Sequence, residues 1–184
     1  MSKVFILLAD GFEEVEAMTP VDLLRRAGAE VTMVSVTGGK VVTGARRIPV
    51  VTDLLIGQQG EGDMLILPGG MPGTTHLKEH AGVRNLVQDF YDQGKYIAAI
   101  CAAPTVFGDM GLLRGRHATC YPGLEGGLIG AKVSTDSVVV DGNIITSRGV
   151  GTALDFACKL IELLFGKEKA DEIAKTVVYF ANNN

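Results

Sequence analysis

The sequence predicts an α/β fold, a doubly wound sandwich with a mostly parallel sheet, helices on both faces and small antiparallel hairpins. Three observations lead there. Short β-rich runs alternate with helical patterns almost from end to end. The runs around Ile6 and Ile66 are apolar at nearly every position, as in strands covered on both faces by crossover helices. The length, 184 residues with 47% hydrophobic and 21% charged side chains, suits one domain over 1–184 with a sizeable core.

The strands are expected at Val4 to Ala9, Glu30 to Val36, Met64 to Leu67, Tyr96 to Ile100 and Asn143 to Thr146, with helices between most of them. Two hairpins are expected to decorate the sheet, one turning at Gly38-Gly39 and one at Asp141-Gly142. Thr152 to Phe165 reads as a helix stopped by Gly166, and Lys167 to Val178 as another. In the first helix, Glu13 and Glu14 fall at or before the first turn, where carboxylates oppose the positive end of the helix dipole. Glu16 differs, because helical spacing sets it in one stripe with Pro20, Leu23, Leu24 and Ala27, pointing a carboxyl group toward the core. The alternative is an ordinary carboxylate at a helix start.

A net charge of -4 with no Lys/Arg run argues against nucleic-acid binding and an anionic membrane partner. The apolar run from Val4 stops at Asp10, too short for a signal-peptide core or a membrane span, so a cytoplasmic protein is expected. The three cysteines lie far apart without a CxxC pair, which favours reduced thiols over a disulfide framework or a zinc knuckle.

Chemistry is expected at Cys101, which occupies a sharp turn between the strand YIAAI and the helical pattern that follows. Such a turn presents a side chain beyond the carboxyl ends of the strands, where ligands bind in open parallel sheets. The following helix start favours thiolate, so Cys101 is expected to titrate below a free thiol at about 8.5. This is nucleophile-elbow logic without the flanking glycines of GxSxG. Cys120 and Cys158 lack comparable framing and read as packing residues. Pro68-Gly69-Gly70 faces the same sheet end and either donates N–H groups or makes a tight turn. His76 and His80 formally match HxxEH, but the short segment reads better as a solvated helix end, and no metal is expected. Arg148-Gly149-Val150-Gly151 lacks the third glycine of a dinucleotide loop.

The stretches DGFEEVEAMTPVDLLRRAG, LILPGG, AAICAAPTVF and TSRGVGTALDFA closely resemble the ThiJ/PfpI superfamily, in the branch of the Parkinson-disease protein DJ-one and its bacterial relatives. The resemblance runs from about Val4 to Val178. It implies a single flavodoxin-like domain of the class I glutamine amidotransferase-like kind, a homodimer, a reactive Cys101, and Glu16 as a protonated acid hydrogen-bonded to its sulfur. Gly69, Gly70 and Ala102 would supply an anion pocket, while Arg46 and Arg148 match basic positions near a dimer-side pocket. Glu13, Asp22 and Arg46 are expected to pair across the two-fold interface. The chain departs from the pattern at Tyr121, before Pro122, where many active members carry His, and Ala102 replaces the His that follows the cysteine in protease-like relatives. The function implied is a cofactor-independent glyoxalase-like or deglycase-like enzyme acting on small aldehydes such as methylglyoxal. The rival is an oxidative-stress sensor or chaperone whose Cys101 becomes a sulfinic acid.

Overall fold

The structure is a computed structural model that describes residues 1–180, so the terminal asparagine run 182–184 lies outside them. The first crossover runs β1 (Lys3–Leu8), α1 (Glu14–Arg26) and β2 (Glu30–Ser35). A small hairpin, β3 (Val41–Thr43) and β4 (Pro49–Val51), precedes the short β5 (Leu54–Leu55) and the buried β6 (Met64–Leu67). Then come α2 (Gly73–Glu79), α3 (Ala81–Asp92), β7 (Tyr96–Ile100) and α4 (Pro104–Asp109). Two strands, β8 (His117–Ala118) and β9 (Lys132–Val133), form a separate parallel pair. β10 (Val138–Asp141), β11 (Ile144–Ser147), α5 (Ala153–Phe165) and α6 (Lys167–Thr176) complete the chain.

The main sheet has the order β10-β11-β7-β6-β1-β2-β5 and is parallel except for the antiparallel β10-β11 pair. Alternation along the strands divides the core in two. Val4, Ile6 and Leu8 of β1 join Met64 and Ile66 of β6 in the layer packed by α1, α5 and α6, with Phe156 and Leu160 of α5 fully buried there. Phe5 and Leu7 turn the other way, with Leu65, Leu67, Ile97 and Ala99, against Val83, Val87 and Phe90 of α3 and Phe107 of α4. This is the flavodoxin-like α/β arrangement that the continuously apolar strands predict.

One expected hairpin stands and the other moves. Asp141 pairs with Ile144 around Gly142-Asn143, and Gly142 has φ +62°. Gly38-Gly39 is no hairpin turn: β2 pairs with β1 and β5, and the hairpin is β3 with β4, closing through residues 44–48. The reason is local. Ser35 and Thr37 hydroxyls both donate to the Gly39 carbonyl, which holds that segment as a loop. The last helix also stops sooner than expected, at Thr176, because Val178 takes a left-handed conformation at φ +56°.

The helix that follows Cys101 is held by close backbone packing, since a Cβ on Gly108 would meet the Gly127 carbonyl oxygen. Alanine's better helix propensity offers at most about 1 kcal/mol, whereas overpacking against a fixed backbone costs about 1–3 kcal/mol. Gly108→Ala is therefore expected to destabilise the fold. A urea midpoint unchanged or raised relative to wild type would contradict that packing.

Candidate active site

Four neighbouring strands, β11, β7, β6 and β1, end at the same edge of the sheet, and their loops converge there. The loop after β1 enters α1 and brings Glu13 and Glu16. Gly69-Gly70 follows β6, Cys101 follows β7, and Arg148-Gly149 follows β11. A pocket of about 810 Å³ opens among them.

Cys101 sits at φ +67°, a left-handed conformation that costs a residue with a Cβ about 1–3 kcal/mol. Backbone bonds hold it: its N–H donates to the Ser147 carbonyl at 3.0 Å, and its carbonyl accepts from Tyr121 N–H at 2.8 Å. The turn aims the thiol at Glu16, which is only 1% exposed, and the two side chains hydrogen-bond. Gly69 N–H donates to Glu16 Oε2 at 3.1 Å. Gly70 and Ala102 N–H groups donate to the sulfur. The Gly69 N–H is thus committed to the acid and does not face an anion, leaving Gly70 and Ala102 as the donors around Cys101. Both glycines are required sterically. A Cβ on Gly69 would lie 2.6 Å from both Cys101 Cβ and Glu16 Oε2, and Gly70, at φ +90°, passes against the Glu13 backbone.

The electrostatics correct one expectation. Burial, followed by the Glu16 charge and the hydrogen bond to it, pushes the Cys101 thiol up to about 12 instead of below a free thiol. Burial likewise raises Glu16 from 4.5 to about 7, with a further push from Glu13 and opposition from its bonds to Cys101 and Gly69. α4 is short and begins three residues beyond Cys101, so its dipole does not offset desolvation. The pair therefore loses one proton near neutrality and shares the other well into the alkaline range. With Glu16 raised to about 7 and the thiol to about 12, the charge left by the first proton resides on the Glu16 carboxylate.

Every other expected site residue lines the same pocket: Glu13, Arg46, Ala102, Tyr121 and Arg148. Arg46 faces Glu13 within the chain at 3.6 Å, and Asp22 bonds Arg26 one helical turn away at 2.9 Å, so all three residues expected to pair between subunits have intrachain contacts. Arg148 donates from Nε and Nη1 to the carbonyls of Cys120 and Thr135. Sequence reasoning missed Glu14, which is buried and not a solvated helix-start acid. Its Oε1 accepts from the N–H groups of Arg46 and Ile48, pinning the β3-β4 hairpin and hence Arg46 over the pocket. Sequence reasoning also missed Met71, Leu124 and Val150, whose position beside the pocket depends on loop convergence alone. The histidines hold structure: His76 Nδ1 bonds the Asp10 carbonyl, His80 Nδ1 accepts from Val83 N–H, and the helix breaks between α2 and α3 at His80. Cys120 is buried, and burial pushes its thiol up to about 11.

The buried acid has a pH signature. Between 4.5 and about 7 the unfolded chain releases the Glu16 proton while the folded chain keeps it, so unfolding free energy falls as pH rises through that window. The loss is about 3 kcal/mol at about 1.4 kcal/mol per pH unit. Relative to wild type, Glu16→Gln is expected to gain that amount between pH 4 and 8, measured by urea unfolding. A difference independent of pH would show that Glu16 ionises as an ordinary carboxylate.

The DJ-1/PfpI family profile matches residues 2–163. The chain is 41% identical to protein dj-1beta of Drosophila melanogaster, over 99% of this chain and all of that protein. A deglycase of Pyrococcus abyssi is 37% identical over 88% of this chain and 99% of its own. Among solved structures, oxidized DJ-1 of Toxoplasma gondii superimposes with a TM-score of 0.94 at 38% identity, covering 97% of this chain and 99% of that one. Together with the fold and the thiol-acid pair at the strand ends, these similarities establish that the chain belongs to the DJ-1/PfpI family.

Proposed function

We propose that the protein is a cysteine-dependent glyoxalase-like or deglycase-like enzyme that acts on small reactive aldehydes such as methylglyoxal, with Cys101 as nucleophile and Glu16 as proton carrier. The observation that carries this reading is the buried, hydrogen-bonded Glu16–Cys101 pair with Glu16 raised to about 7, where an acid exchanges protons at neutral pH. The similarity to a protein named a deglycase supports the same class of activity.

The chemistry balances without an external oxidant. The Cys101 sulfur bonds to the aldehyde carbon, the carbonyl electron pair moves to oxygen, and protonation gives a hemithioacetal. Glu16 takes the hydrogen of that carbon as a proton, the electrons form an enediol, and the proton returns at the neighbouring carbon. The product is a 2-hydroxy thioester. Water cleaves its carbon–sulfur bond, releasing the 2-hydroxy acid and restoring the thiol. Gly70 and Ala102 N–H groups, already directed at the sulfur, lie beside the oxygen that becomes charged.

The second reading is a redox sensor in which Cys101 is oxidised to a sulfinic acid held by Glu16; the similar Toxoplasma structure is described as oxidized. Purified protein without added thiols separates the two. On the enzymatic reading Cys101→Ser abolishes methylglyoxal turnover, Glu16→Gln lowers it by about 10²-fold or more, and kcat falls as pH drops below about 7 because Glu16 must be ionised to accept the proton. Turnover indifferent to both substitutions sinks this reading, and peroxide products at Cys101 that differ between wild type and Glu16→Gln support the sensor.

We also propose a homodimer. Val15 and Ile48 are exposed apolar residues beside Glu14, and Val51 lies exposed on the same hairpin as Ile48, which suits an isologous apolar contact. Light scattering is expected to give twice the 19.4 kDa chain mass at micromolar concentration. A monomer there, or a dimer unaffected by Val51→Asp, counts against this face.

A further inference from the structure

Four large apolar side chains surround the mouth of the Cys101 pocket while remaining open to solvent: Met71 at 61% exposure, Tyr121 at 51%, Val150 at 47% and Leu124 at 38%. Single exposed apolar residues need no explanation, but these converge from three separate loops on one thiol. The pocket's volume of about 810 Å³ also far exceeds what a three-carbon aldehyde fills.

The wall is in fixed register with the nucleophile. Tyr121 N–H donates to the Cys101 carbonyl at 2.8 Å, and Leu124 N–H donates to the Tyr121 carbonyl at 3.1 Å. The Tyr121 ring and Glu16 Oε1 border the space beside Gly149: a Cβ there would lie 3.4 Å from the ring and 3.8 Å from the oxygen. Arg46 lies 3.6 Å from Glu13, Arg148 donates to two backbone carbonyls, and Glu13 and Glu16 balance these cations with carboxyl groups on the same pocket. An uncharged ligand with an apolar arm fits these surroundings.

We propose that the Cys101 pocket selects uncharged carbonyl compounds bearing an apolar substituent bulkier than methyl, branched or aromatic, and that Tyr121 and Leu124 set this preference. The proposal rests on the aldehyde chemistry above for its substrate class. In place of methyl, such a substituent lies against the Tyr121 ring and the Leu124 side chain as the sulfur bonds to the carbonyl carbon. Tyr121 and Leu124 are specificity residues, acting on binding of the arm and not on the proton transfer.

Two ratios test this, each taken on one protein sample so that partial unfolding cancels. The first is the rate at which Cys101 is alkylated by 2-bromoacetophenone relative to bromoacetone, normalised to free cysteine and followed by mass spectrometry. The second is kcat/KM for isobutylglyoxal relative to methylglyoxal. Both ratios are expected to reach roughly tenfold or more in wild type, the discrimination that added apolar groups bring in an apolar pocket. Both should fall several-fold toward unity in Tyr121→Ala and Leu124→Ala, and Tyr121→Phe should retain them because the ring, not the hydroxyl, makes the contact. A normalised alkylation ratio near unity in wild type, or one that the alanine variants leave unchanged, overturns the proposal. If neither aldehyde turns over while the alkylation ratio stays high, the selective wall stands and the aldehyde reading fails.

Discussion

A parallel sheet must bury both of its faces, and the site's placement follows from that constraint. Crossover helices cover the two sides, so parallel strands run the same way and their carboxyl ends gather at one edge. With β11, β7, β6 and β1 adjacent, residues as distant in sequence as Glu16, Gly70, Cys101 and Gly149 border one pocket. The alternating core on either side of β1 gives the edge its rigidity. Val4, Ile6 and Leu8 commit to one layer and Phe5 and Leu7 to the other, so a slip by one residue would exchange the layers.

Within that frame the fold maintains two unfavourable features side by side. Cys101 keeps a left-handed backbone, and Glu16 keeps a carboxyl group almost wholly out of water. Each costs on the order of a few kcal/mol, a sizeable fraction of a domain's net stability. Both lie within hydrogen-bonding reach of one thiol and of the Gly69, Gly70 and Ala102 N–H groups. Desolvation beside the pocket shifts both proton affinities, and for Glu16 it carries the acid from 4.5 to about 7, the range where exchange is fast at neutral pH.

The surroundings of the pair divide by chemistry. Toward the protein, the Gly69 N–H donates to Glu16 and the Gly70 and Ala102 N–H groups to the sulfur. Toward solvent, the wall is apolar, built from Met71, Tyr121, Leu124 and Val150, with the nearby guanidinium groups turned to Glu13 and to carbonyl oxygens. Tyr121 belongs to this wall. Its ring brings a hydrophobic face to the pocket.

Much of this was legible in the chain. Uninterrupted apolar strands gave the sheet, the strand-to-helix turn marked Cys101, and the apolar stripe of the first helix singled out Glu16. These are periodic or local signals, and burial acts on them directly. The hairpin after β2 was misplaced because the Ser35 and Thr37 hydroxyls hold Gly38-Gly39 as a loop, while the hairpin that does form is pinned by Glu14, some thirty positions earlier, whose carboxyl accepts from the Arg46 and Ile48 N–H groups. The thiol's proton affinity was misjudged for a similar reason: a helix start is visible in sequence, but desolvation and a neighbouring acid's charge are not. Which residues share the pocket was likewise decided only by strand order, which sets distances between loops that no sequence spacing encodes. Sequence by itself determined the elements and the two chemical groups; tertiary structure alone decided what each faces, because hydrogen-bond partners and solvent exclusion arise from segments far apart along the chain.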